Sequence, residues 1–207
     1  MLCNIFLFVS ELVIIINRIP TVQASAFSYY TLLSNLLAMA AGLVFMIHGF
    51  SGFRRLTKAK TLLRYYATCM LFFTFIIVIT VLTPMCLSVK MDPSFLYTGD
   101  GAFHHLAHPI VSFVSFVFLE DNRALKNKQP AVMLGISLCY TAVLITLNIL
   151  RIVDGPYPFF QVYNNPVWGT ILWLACLAAG DYLLNYLIYL AGAKASRGKN
   201  VSGGQTC

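Results

Sequence analysis

The chain has 207 residues, of which 59% are hydrophobic and 10% charged, and its formal net charge is +7. Mean hydropathy is +0.78, and charge is confined to short stretches between long apolar ones. This excludes an ordinary soluble domain and places the chain in the membrane class. The basic excess then requires no nucleic-acid partner, because membrane proteins carry it as orientation signals and lipid-headgroup contacts.

A span takes about 20 mostly apolar residues. Six stretches qualify, roughly 2–17, 28–50, 62–86, 103–120, 131–152 and 166–191. Runs this long and this continuous read as helices rather than strands. The predicted fold is all-α: one polytopic domain over 1–193, a bundle of six transmembrane helices, with a flexible cytoplasmic tail over 194–207.

The first stretch, "MLCNIFLFVSELVIIINRIPTVQASA", ends in a small-residue pattern at Ala24-Ser25-Ala26 that resembles a signal-peptidase site. No Lys or Arg precedes its apolar run, Glu11 interrupts it and Arg18 follows it, a pattern that favours an uncleaved helix. The second begins "FSYYTLLSNLL", where Thr31, Ser34 and Asn35 stand at i, i+3 and i+4 and share a face. The fourth begins "FHHLAHPIV" at the same side of the bundle. There His104 and His108 are i and i+4, and His105 and His108 are i and i+3. Thr31 and His108 each lie roughly 5–8 Å inside their helices and can be level.

Basic residues orient the bundle. Arg54, Arg55, Lys58, Lys60, Arg64, Arg123, Lys126, Lys128, Lys194, Arg197 and Lys199 fall on one side if the spans alternate, against Arg18, Lys90 and Arg151 on the other. The positive-inside rule puts both termini in the cytoplasm.

The connection "RIVDGPYPFFQVYNNP" combines a stiff turn at Gly155, Pro156 and Pro158 with Tyr157, Phe159, Phe160 and Tyr163. It reads first as an interfacial aromatic belt. The functional alternative is a lid over an opening between helices two and four. On the last helix Asp181 and Asn185, at i and i+4, read as an interhelical hydrogen-bond pair on the side away from the histidines. The cysteines form no CxxC pair, so neither a disulfide framework nor a thiolate metal site is indicated.

A threonine alcohol is inert near neutral pH unless a base removes its proton during attack. His108 with Thr31 is the economical pairing, with Asn35 or Ser34 donating to a developing oxyanion. Alternatively His104 and His108 hold a metal through HxxxH spacing, with Asp100 or Asp154 completing the shell; no cofactor is otherwise implied. Histidines that simply hydrogen-bond neighbouring helices would satisfy the same pattern.

The landmarks "YYTLLSNLL", a basic loop, "LRYYATCMLFFTFIIVITVL", "HHLAHPIVSFVSFVFLE" and "YPFF" before a last apolar helix resemble the six-helix membrane proteins of the Pr-six-Pr family, over about residues 5–190. These are similar to the androgen-induced family, whose members hydrolyse fatty acid esters of hydroxy fatty acids with a membrane threonine and a histidine. The resemblance implies Thr31 as nucleophile, His108 as its partner and His105 as the earlier histidine of the motif. Departures are Tyr-Tyr-Thr-Leu-Leu-Ser-Asn where the hydrolases carry Tyr-Leu-Thr-Phe and Asn, and Pro109 where they carry a hydroxyl residue. The expectation is an intramembrane lipid-ester hydrolase or acyl-transfer enzyme taking a membrane lipid or fatty-acyl ester. Asn35, Ser34, His105, Arg151 and Tyr157 would surround the substrate, Arg151 by pairing with a free carboxylate. The rival expectation is a non-enzymatic carrier or receptor.

Overall fold

Uninterrupted apolar sequence leaves the backbone no hydrogen-bond partner but itself, and the predicted spans are helical. The computed structural model describes residues 1–18, 20, 24–51 and 57–203, with no strand among them. Helix α1 is Leu2–Arg18 and α2 is Tyr30–Ser51. The third helix, α3, covers 57–88 and carries a π turn at Val78–Leu82. Helix α4 is Asp100–Leu119, with π turns at Phe103–Ala107 and Ser115–Leu119. Helix α5 is Gln129–Ile149 and α6 is Val167–Gly203.

Among the described residues, α2 to α6 are the five helices long and apolar enough to cross a membrane. Helix α1, with 17 residues and Glu11 at its middle, is the sixth helix of the bundle but is not one of those five. Where the sequence predicts a flexible tail from 194, α6 runs on to Gly203. Arg54, Arg55 and residues 204–207 lie outside the described residues.

Helix α1 lies along α2, α2 along α3, and α3 against α4; α6 touches α3 and α4, and α5 leans on α6. Small residues set the closest approaches. A Cβ at Gly42 would lie 2.9 Å from the Asn4 carbonyl oxygen, so α1 and α2 touch backbone to backbone there. Ala38, Ala41 and Ala67 do the same work between α2 and α3. A larger core gathers Tyr65, Phe116, Met133 and Ile188.

The surface is apolar, with Phe50, Leu119, Trp168 and Ile171 exposed, while several charged groups are inside. Arg64 is fully buried. Its Nε lies 3.0 Å from Glu120 Oε1, it hydrogen-bonds Asn4, and its guanidinium sits 4.8 Å from the Phe45 ring centroid. Ser115 donates to the same Glu120 oxygen at 2.9 Å. Arg64 therefore belongs to a core ion pair, which corrects its place among the orientation charges.

Candidate functional site

The site begins where α4 begins. A π turn holds one more residue than an α turn and rotates the side chains that follow it; here it spans Phe103–Ala107 and so contains His104 and His105. His105 turns back to the preceding loop and donates Nδ1–H to the Leu96 carbonyl at 2.7 Å. His104 and His108 turn toward α1 instead. His104 Nε2 lies 2.9 Å from Glu11 Oε2, and His108 Nδ1 lies 3.7 Å from the same oxygen. The helical spacing put His105 and His108 on a common face; the inserted residue separates them.

His108 is 1% exposed, and its two ring nitrogens are both engaged. Asn35 donates its amide N–H to the Thr31 carbonyl at 2.8 Å, which turns Asn35 Oδ1 toward His108 Nδ1 at 2.7 Å. An amide oxygen accepts, so Nδ1 carries the proton and the lone pair sits on Nε2. That lone pair faces Ser10 Oγ at 2.7 Å. Ser10 has one proton and two acceptors within reach, His108 Nε2 and the Phe6 carbonyl at 2.5 Å. Ser10, His108 and Asn35 thus form a hydroxyl–imidazole–amide chain across α1, α4 and α2. Sequence reasoning missed Ser10, although a polar Ser-Glu step inside "FLFVSELVIII" was the available signal.

Thr31 is not hydrogen-bonded to His108. Its Oγ1 lies 3.4 Å from the Tyr157 hydroxyl, and its carbonyl accepts from Ser34 Oγ and Asn35 Nδ2, both at 2.8 Å. Asn35 is therefore the bridge between the turn that carries Thr31 and the imidazole of His108. Ser34 is buried, 3.5 Å from Thr74 Oγ1.

Two cavities meet at Thr31. The larger, about 820 Å³, is lined by Glu11, Arg18, Thr31, His104, His105 and Tyr157 among others. The smaller, about 430 Å³, opens between α2, α3, α5 and α6 because α5 leans mainly on α6. Thr31 and Tyr157 stand on the walls of both; His108 and Asn35 line neither. Desolvation pushes the Tyr157 phenol above its ordinary pKa.

The aromatic connection folds inward, and Tyr157, Phe159 and Phe160 line the smaller cavity rather than an opening between α2 and α4. Phe159 and Phe160 are buried, Tyr157 stacks on Phe159 at 5.3 Å, and Phe159 meets Trp173 at 5.8 Å between centroids. Gly155 permits the fold-back, since a Cβ there would lie 2.6 Å from the Phe160 carbonyl carbon.

Arg151 does not join the site. It adopts a left-handed φ of 57° and lays its guanidinium over the Tyr163 ring at 4.6 Å. The cation on the larger cavity's wall is Arg18, whose Nε lies 2.5 Å from Asp100 Oδ2. Asp181 stays apart from the histidines, as expected, but lines the smaller cavity with Thr31. Among the described residues no group of three or more His, Cys, Asp or Glu side chains is placed to hold a metal. In the HxxxH pair, His104 is taken by Glu11 and His108 by Asn35 and Ser10.

No protein-family model, no curated protein and no solved structure matches the chain.

Proposed function

We propose that this is an integral membrane protein of six spans with both termini cytoplasmic, and that it cleaves or transfers the acyl group of a lipid ester within the bilayer. The apolar exterior and the one-sided distribution of Lys and Arg support the topology. Helix α1 serves as a short first span whose acidic residue is held by His104.

One observation carries the chemistry: the Thr31 hydroxyl stands on the wall shared by two cavities, one mostly apolar with Asp181 on its wall and aromatic rings over it, the other bearing Glu11, Arg18 and the imidazoles of His104 and His105. An ester whose carbonyl lies at Thr31 can place its two arms in the two cavities. Thr31 Oγ attacks the carbonyl carbon while His108 takes its proton, and a tetrahedral oxyanion forms. The intermediate collapses, the C–O bond to the leaving alcohol breaks, and His108 returns the proton to that alcohol. Water, or a second alcohol, then releases the acyl group by the same steps. Thr31 must leave Tyr157, and His108 must exchange a present partner for the threonine; hydrogen bonds between catalytic groups commonly tighten only once substrate is bound.

A fluorophosphonate probe applied to membranes containing the protein tests this reading. Labelling should vanish in Thr31→Ala and His108→Ala and persist in Ser34→Ala. No labelling at any pH would favour the carrier or receptor.

A second reading keeps the base and changes the nucleophile. Ser10 already meets His108 Nε2 at 2.7 Å, with Asn35 fixing the tautomer, so it needs no change of partner. Against it stands the cavity map, because Ser10 lines neither cavity whereas Thr31 lines both. Labelling lost in Ser10→Ala but kept in Thr31→Ala would select this reading.

A further inference from the structure

We propose that the smaller cavity is a binding site for a long-chain amine or amino alcohol, with its ammonium group seated on Asp181. This inference goes beyond the hydrolase reading and requires no reaction at Thr31.

Asp181 is 2% exposed and lines the cavity wall. Its carboxyl oxygens make no hydrogen bond of good geometry among the described residues, and only the neutral Ser137 hydroxyl and Asn185 amide stand near as weak donors. A buried carboxyl group without a counter-charge is costly in an apolar setting, and intramembrane acids are kept where they meet one or a ligand. Among the described residues Asp181 is also the one charged residue on this cavity's lining. A carboxylate-headed lipid would therefore find no cation there and would be repelled by the acid. An alcohol would supply a donor but no charge. An amine supplies both.

The rest of the lining suits the same ligand. Tyr30, Phe73, Tyr140 and Phe160 surround the space with aromatic rings, whose faces attract a cation. Beyond them Ile77, Leu138, Ile145 and Leu177 offer only apolar contact, enough to hold an alkyl chain. The volume of about 430 Å³ falls within the range of small-ligand sites, about 300–1,000 Å³.

The test uses the full chain in phosphatidylcholine nanodiscs, titrated calorimetrically with dodecylamine, dodecanol and dodecanoate. Saturable binding of the amine at one site per chain is expected, with the alcohol weaker and the carboxylate absent. Asp181→Asn, nearly isosteric, should weaken amine binding by at least about tenfold. Ala178→Leu, which adds bulk to the cavity wall and keeps the acid itself, should weaken amine binding as well. Equal binding of all three probes, or amine affinity unchanged in Asp181→Asn, would overturn the proposal. If Asp181→Asn fails to fold, unchanged amine binding in Ala178→Leu would overturn it. Because binding rather than labelling is read, the result is independent of whether Thr31 reacts with a fluorophosphonate.

Discussion

His108 Nδ1 meets Asn35 Oδ1 at 2.7 Å while Nε2 meets Ser10 at the same distance, so one imidazole ties α4 to α2 and α1. Asn35 in turn donates to the Thr31 carbonyl. The amide therefore sets both the tautomer of the base and its distance from the threonine turn. Asn35→Ala should lower the rate of fluorophosphonate labelling by about a hundredfold, within the range by which a positioned base acts. Asn35→Asp keeps an acceptor at Nδ1 but loses the donor to the Thr31 carbonyl, so its rate should fall between those of Asn35→Ala and the parent. Labelling rates of the two variants against the parent check this.

The Arg64–Glu120 pair is buried at the other end of α4. Removing one partner strands the other charge, so Glu120→Gln should cost about 3–5 kcal/mol. Replacing both partners with apolar residues, Arg64→Met with Glu120→Leu, should recover most of the loss. Chemical unfolding in detergent micelles measures both.

Gly155 lets the aromatic connection fold inward. In Gly155→Val the new Cβ meets the Phe160 backbone at 2.6 Å, so the aromatic turn must lift. Stability should fall by about 1–3 kcal/mol, and the fluorescence of Trp173, which meets Phe159, should become accessible to quenchers. Gly135→Ala, where nothing lies within 4 Å of the added carbon, should leave both properties unchanged.

Topology has its own test. With six spans, tags at the two ends are protected from, or cut by, an added protease together. A cysteine introduced at Lys126 should react from the cytoplasmic side and one at Met91 from the opposite side. Tags of opposite accessibility would mean that α1 does not cross.

Much of the bundle was legible because continuous apolar runs have few structural solutions, and the helices fall close to the predicted stretches. The shared side of the α2 and α4 entrances was also within reach, but the expected Thr31–His108 contact is absent, because Asn35 stands between the two. What lay hidden was tertiary. A π turn leaves no mark in residue spacing, so the divergence of His105 from His108 was invisible. Glu11 and Ser10 stood out as polar residues in an apolar helix, yet nothing local says which neighbours they meet. Arg64 looked like a loop charge because Glu120, its partner, is far away in sequence. Asp181 read only as half of an interhelical pair, because nothing local says that α5 leans mainly on α6 and leaves open the cavity that the acid lines.

The most direct measurement is the mass-spectrometric location of the fluorophosphonate adduct in peptides from the labelled protein. The account predicts one modified residue, Thr31, in the peptide carrying "YYTLLSN". An adduct on Ser10 instead, or labelled protein with Thr31 unmodified, would contradict it.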